Sequence, residues 1–182
     1  MEFINLKNKD KFRLVKDVLL HPLKVNKDNT GVLVETLRSD WKEIYGEGRE
    51  FYMQYFSITP PAVARDENIW HFHVKQEDRF LVIQGEVIVA IADNRKDSET
   101  KGIINLFYMQ SQIDPYILLI PREVLHGFMV VSKTDGILLN FPTQLYDPND
   151  EIRVPYNEVL VKLDDGADFT WEKVRKVFKF NE

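Results

Sequence analysis

An all-β fold, two packed sheets forming a sandwich or small barrel, is predicted by three observations. Short runs rich in β-branched and aromatic residues recur along the chain. Turn-forming Gly, Pro, Asp and Asn residues separate them. Only one segment, near the end, has clear helical periodicity.

In order, 31-GVLVETL-37 reads as a strand. The segment 39-SDWKEIYG-46 reads as a short helix that Ser39 can cap and Gly46 can end. The aromatic run 50-EFYMQYFSIT-59 reads as a strand stopped by Pro60 and Pro61, with its 51–56 aromatics placed in the core. Residues 79–84 and 86–93 read as a hairpin around Gly85, and polar 95-RKDSETKG-102 as an exposed loop. Next come a buried strand, 116-YILLI-120, a turn at Pro121, and returning strands at 125–132 and 136–141. In 168-DFTWEKVRKVFKF-180, Trp171, Val174 and Val177/Phe178 fall at helical spacing, with Asp168 or Thr170 as cap. The expected organisation is one domain over 1–182: N-terminal strands and short helix to residue 50, a barrel over 51–160, and a helical tail over 161–182.

Composition narrows the function classes. A chain of 182 residues can bury about 70% of the surface its unfolded state exposes, so it needs no staple. It has no cysteine, which excludes disulfides and Cys-based zinc sites. A net charge of −5 with interleaved bases and acids argues against a nucleic-acid surface. No uncharged apolar stretch approaches the roughly 18 residues of a membrane span. No signal peptide is visible at 1-MEFINLKNKDKF-12, so the expected location is cytoplasmic.

The chemistry concentrates in 70-WHFHVKQEDRFLVIQGEVIVAIAD-93. His71 and His73, two apart on a strand, face the same way. Asp78 follows, while Glu77, out of phase with it, is expected to face solvent. A third histidine, His126, stands five residues after Pro121 in 121-PREVLHGF-128. His21, beside Pro22, is read as structural. Two readings of the set stay open. In one, a histidine of near-neutral pKa removes a carbon-bound proton beside a ketone, other histidines hold the enolate oxygen, and Asp78 orients a ring. In the other, His71, His73, Asp78 and His126 form a three-nitrogen, one-oxygen shell for one divalent ion such as Zn, Fe, Mn or Ni. A barrel that binds its ligand without catalysis is a third possibility.

The spacing His71-x-His73-x4-Asp78-x6-Gly85, with Pro121 and His126 as a second motif, resembles that of a cupin, a double-stranded β-helix or jelly-roll barrel. Glu123 stands where that loop usually has glycine. More narrowly, 22–46, 119-LIPREVLHGFMVVS-132 and 143-TQLYDPNDEIR-153 resemble the dTDP-4-dehydrorhamnose 3,5-epimerase family. The His-x-His arrangement is also similar to that of dTDP-sugar 3,4-ketoisomerases. The epimerase resemblance implies a cofactor-free isomerase acting on a sugar nucleotide, with His71 as base and Tyr146 as acid. His73, His126, Asp78, Arg65 and Arg153 would bind the substrate, and the protein would be a homodimer. The chain departs from the family pattern at three cations: Thr30-Gly31 replaces Arg-Gly, Asn68 replaces an arginine, and Asp78 replaces a lysine. Arg65, Lys75, Arg79 and Arg153 are the candidates to compensate.

Overall fold

A computed structural model describes residues 1–159, 161–163 and 165–180. The described residues form twelve strands: β1 (Leu19–Pro22), β2 (Val25–Asp28), β3 (Gly31–Val34), β4 (Tyr55–Thr59), β5 (Ile69–Phe72), β6 (Asp78–Gln84), β7 (Glu86–Ala92), β8 (Ile104–Gln110), β9 (Tyr116–Ile120), β10 (Leu125–Val130), β11 (Gly136–Asn140) and β12 (Ile152–Pro155). Two short helices are α1 (Lys42–Tyr45) and α2 (Trp171–Val177). One sheet has the order β1-β9-β6-β11-β4, the other β12-β5-β10-β7-β8, and β2-β3 forms a separate ribbon.

The all-β jelly roll is as expected, but the predicted 79–93 hairpin is not a pair. β6 and β7 lie in different sheets, and Gly85 between them is a corner with φ +76°. One linking residue is too short for the two-residue turn a hairpin needs. A Cβ at Gly85 would lie 2.6 Å from Ser132 Oγ, so glycine meets both the left-handed backbone and the close approach. β9 and β10 likewise belong to opposite sheets across Pro121. β1, β8 and β12, which the sequence reading did not assign, complete the two sheets.

Side chains alternate across each strand. Phe80 and Val82 of β6, Leu118 and Ile120 of β9, Val87, Val89 and Ile91 of β7, and Phe128 and Val130 of β10 meet between the sheets. The intervening residues are covered as well. Ile88, Ala90 and Met129 pack under Phe169, Trp171 and Val174 of the C-terminal segment. Leu81, Ile117 and Leu119 pack under Ile44 and Tyr45 of α1. Strands covered on both faces lose the apolar–polar alternation and read as continuous hydrophobic runs.

Several local readings shift. α1 begins at Lys42, with Trp41 rather than Ser39 before it and no side-chain cap. At α2, Thr170 is the cap, accepting from the Lys173 amide, while Asp168 pairs with Lys162. The 51–56 aromatics are not core: Phe51, Tyr52, Tyr55 and Phe56 are exposed in the absence of a partner chain. Glu77 is buried rather than solvent-facing, because Arg49 Nε donates to its Oε2 at 2.6 Å. Arg79 is fully buried and unavailable to a ligand. Its guanidinium donates to the carbonyls of Ile44, Arg49, Glu50, Phe141 and Pro142, joining the segment after α1 to the barrel. Five accepting carbonyls offset the desolvation that a buried guanidinium would otherwise suffer.

Candidate active site

The inward positions at one end of the barrel enclose a cavity of about 450 Å³, within the range of small-molecule sites. His71, His73, Asp78, His126, Tyr146, Arg65 and Arg153 all line it. His71 on β5 lies opposite His126 on β10 in the sheet register. Asp78 begins β6 on the facing sheet.

At the floor, His73 and His126 converge on Asp78. His126 Nε2 lies 3.3 Å and His73 Nε2 3.5 Å from Asp78 Oδ2. The other nitrogen of each ring meets a main-chain carbonyl: His73 Nδ1 meets Asp150 at 2.9 Å and His126 Nδ1 meets Val124 at 3.0 Å. A carbonyl only accepts, so both Nδ1 atoms carry hydrogen and both Nε2 atoms face the carboxylate. Two lone pairs directed at one carboxylate oxygen repel it unless a proton or a cation lies among the three. Asp78 Oδ1 is satisfied separately, by Gln76 Nε2 at 2.7 Å and Asn140 Nδ2 at 2.6 Å. Burial would raise the Asp78 pKa; the His126 contact, the charges of His126 and His73, and the Asn140 amide outweigh it and hold it at about 2.

The histidine loop is shaped by one carboxylate and one strained residue. Asp150 accepts from the amides of Val74, Lys75 and Gln76. Glu123, at the position usually glycine, adopts φ +60° and donates its amide to the His73 carbonyl at 2.7 Å. The side chain there is tolerated at some conformational expense.

At the mouth, His71 has a different environment. Its Nε2 is buried and 2.6 Å from Asp66 Oδ2, an oblique approach that lacks aligned hydrogen-bond geometry. Its Nδ1 is 3.5 Å from Glu151 Oε1. Asp66 and Glu151, not Asp78, are thus the carboxylates beside this ring. Burial, followed by the charge of His126, lowers the His71 pKa against the opposing pull of Asp66. Arg153 Nη2 donates to Glu151 Oε1 at 2.8 Å, and its Nη1 lies 3.6 Å from Asp66 Oδ1. Tyr146 is 66% exposed, and its hydroxyl donates to Glu151 Oε2 at 3.4 Å.

The four-ligand metal set divides accordingly. Among the described residues, His73, Asp78 and His126 form a group whose ligand atoms lie within 4.8 Å of one another, and His71 is outside it. Those three could hold a divalent ion, since each offers an unencumbered donor to the same point. Of the cations, Lys75 is exposed and pairs with Asp147, and Arg153 is engaged by two carboxylates. Arg65 lines the cavity with no carboxylate partner among the described residues.

The sequence reading missed Asp66, Glu151, Tyr55 and Asn140. Glu151 lay inside the quoted 143–153 stretch, two residues before Arg153. Asp66 had no signal, since it enters through a left-handed turn (φ +56°).

Three kinds of similarity place the molecule. A family model described as dTDP-4-dehydrorhamnose 3,5-epimerase matches residues 13–175. The "Probable low-salt glycan biosynthesis epimerase Agl13" of Haloferax volcanii is 38% identical over 157 residues, covering 85% of this chain and 96% of that protein. The crystal structure of a dTDP sugar isomerase from Desulfovibrio desulfuricans G20 superposes with TM-score 0.73 at 22% identity, covering 87% of this chain and 92% of that one. An epimerase from Legionella pneumophila, solved in complex with dTDP-4-keto-L-rhamnose, superposes with TM-score 0.70 at 22% identity, covering 84% and 81%.

Proposed function

The chain belongs to the dTDP-4-dehydrorhamnose 3,5-epimerase family, and from that premise we propose that it epimerises a 4-keto-6-deoxy sugar nucleotide with His71 as base and Tyr146 as acid. The observation that carries this reading is the setting of His71. The ring stands between two carboxylates in the same cavity as Tyr146, so it is oriented and can be stabilised as it gains charge. A lowered pKa keeps it neutral, and so basic, at neutral pH.

The reaction starts when His71 removes the proton from a carbon beside the ketone. The electron pair moves onto the ketone oxygen, so no cofactor is needed as an electron sink. The floor of the cavity supports that oxygen: a proton among His73, Asp78 and His126 gives an N–H donor for the developing enolate. Tyr146 then returns a proton from the opposite face. Arg65, the cation in the cavity without a carboxylate partner among the described residues, is placed to meet the diphosphate. His71→Asn should abolish deuterium exchange from solvent into the 4-keto sugar nucleotide while the circular dichroism spectrum is retained. Equal exchange rates in variant and wild type would remove His71 as base.

A second reading is favoured by the lone-pair geometry at Asp78. A divalent ion held by His73, Asp78 and His126 would satisfy the same convergence and act on the ketone oxygen as a Lewis acid. Metal analysis of protein purified without chelator separates the readings: one ion per chain supports the second.

The protein is further proposed to be a homodimer. Edge strand β4 presents Phe56 and Ile58, 62% and 55% exposed, and the β2–β3 ribbon presents Val32 and Leu33. A monomer by light scattering at micromolar concentration would remove this assignment. No helix among the described residues is long and apolar enough to cross a membrane.

A further inference from the structure

Each turnover of a two-residue epimerase leaves the base with one proton too many and the acid with one too few. Both must be reset before the next proton is taken. A single carboxylate stands between them. Glu151 Oε1 is 3.5 Å from His71 Nδ1, and Glu151 Oε2 accepts from the Tyr146 hydroxyl at 3.4 Å. Arg153 fixes the carboxylate, donating to Oε1 from Nε at 3.2 Å and from Nη2 at 2.8 Å.

The imidazole is equally constrained. Nε2 is buried beside Asp66, 2.6 Å from an oxygen that only accepts. With carboxylate oxygens beside both nitrogens, the hydrogen of the neutral ring is assigned to Nε2, at the shorter contact, and the lone pair to Nδ1, 3.5 Å from Glu151. The nitrogen that takes the substrate proton is the one next to Glu151.

We propose that Glu151 returns the proton inside the site, from His71 to Tyr146, so that the enzyme resets without waiting for solvent. This rests on the assignment of base and acid made above. The balance closes. The substrate C–H bond breaks, its proton goes to Nδ1 and its electron pair to the enolate. The enolate carbon takes the Tyr146 O–H proton, and that bond's electrons stay on the phenolate. Nδ1 then gives its proton to Oε1. Protonation weakens the pairing with Arg153, the carboxyl turns about its Cγ–Cδ bond, and the proton passes to the phenolate oxygen. Nδ1 regains its lone pair, Tyr146 its hydroxyl and Glu151 its charge. The net transfer runs from an imidazolium, the stronger acid, to a phenolate, the stronger base, and is therefore downhill. Both gaps exceed a working transfer distance by about half an ångström, which the exposed Tyr146 side chain and a small turn of Glu151 can close.

The test uses Glu151→Gln, which keeps shape and hydrogen bonding but cannot carry the proton. A dTDP-4-keto-6-deoxy sugar is followed in a single turnover with enzyme in excess, and in steady state. Because Glu151→Gln also removes one of the two charges beside His71, the single-turnover rate should fall as well, and the steady-state rate should fall about tenfold or more beyond it. Tens of millimolar acetate or formate should restore the steady-state rate, as a purely structural role would not allow. Glu151→Asp should retain part of it. An unchanged steady-state rate, or equal losses in both regimes with no rescue, overturns the relay. The assignments beneath it fail differently. If His71→Asn or Tyr146→Phe keeps the wild-type single-turnover rate, base or acid is wrong and the relay falls with it. If both variants are inactive and Glu151→Gln shows no split, the relay alone falls.

Discussion

Two buried aspartates divide the molecule into a part built for stability and a part built for chemistry. Asp93, just after β7, and Asp78, at the start of β6, are 0% and 2% exposed. Every oxygen contact of Asp93 comes from within seven residues. Arg95 Nε and Nη2 grip it at 3.0 and 2.9 Å, and the hydroxyls of Ser98 and Thr100 each donate at 2.6 Å. All these groups are donors, so the site is saturated. Asp78 has donors on one oxygen only; on the other it faces two imidazole nitrogens brought from other segments. A saturated carboxylate has nothing left to offer a ligand. An unsaturated one holds a place for a proton, a cation or a substrate oxygen.

The contrast can be broken most directly at Asp93. Asp93→Ala should lower stability by about 3 kcal/mol, because it strands a mostly buried guanidinium and two hydroxyls. Turnover per folded molecule should not change. Urea denaturation beside an active-site titration checks both halves; lost activity in the folded fraction would mean that the stabilising part also serves chemistry.

Tyr146→Phe should do the converse. The side chain is exposed, so the urea midpoint should stay put while turnover falls by about 10² or more. Asp78→Asn sharpens the comparison further. With its oxygen toward Gln76 and Asn140, the new amide directs its hydrogens at the two imidazole nitrogens and meets both lone pairs. The expected result is a stability change under about 1 kcal/mol and a turnover loss of roughly tenfold. If activity and a bound metal vanish together, the metal reading of the floor gains the ground.

The smallest effect is on acid stability. Burial alone would raise the Asp93 pKa, but Arg95 and the Ser98 and Thr100 hydroxyls carry it well below the ordinary carboxylate range. A group whose folded-state pKa is depressed stabilises above its unfolded value, and that share disappears as pH falls through the folded one. Urea midpoints followed downward from pH 5 should therefore decline less steeply in Asp93→Asn than in the wild type.

The fold class was legible because turn residues and β-branched runs are local signals, and α2 because its Trp171/Val174 spacing and Thr170 cap are local too. Pairing was not. Gly85 reads as a hairpin turn until one knows that the outer faces of β6 and β7 are covered by different segments, which sends the strands into different sheets. The cavity histidines were legible through fixed spacing. Asp66 was not, because its relation to His71 depends on a left-handed turn rather than on a periodic position. Glu77 and Arg79 were misjudged for one reason: a charge is placed at the surface by default, and only tertiary partners such as Arg49 and five backbone carbonyls make its burial tolerable.

The crossing of the chain between sheets also governs how the molecule comes to be folded. Among the described strands, only β2–β3 and β7–β8 pair with their immediate neighbours in sequence, and the ribbon contributes little buried surface. Every other pairing closes a longer loop, as when β1 finds β9 or β4 finds β11. Loop-closure entropy is lost before such contacts give anything back. The chain therefore belongs with slow folders of high contact order, on the scale of milliseconds to seconds. The β7–β8 hairpin, its loop anchored by Asp93, is the local piece that can form early. The saturated aspartate thus supports the order of assembly as well as the finished barrel.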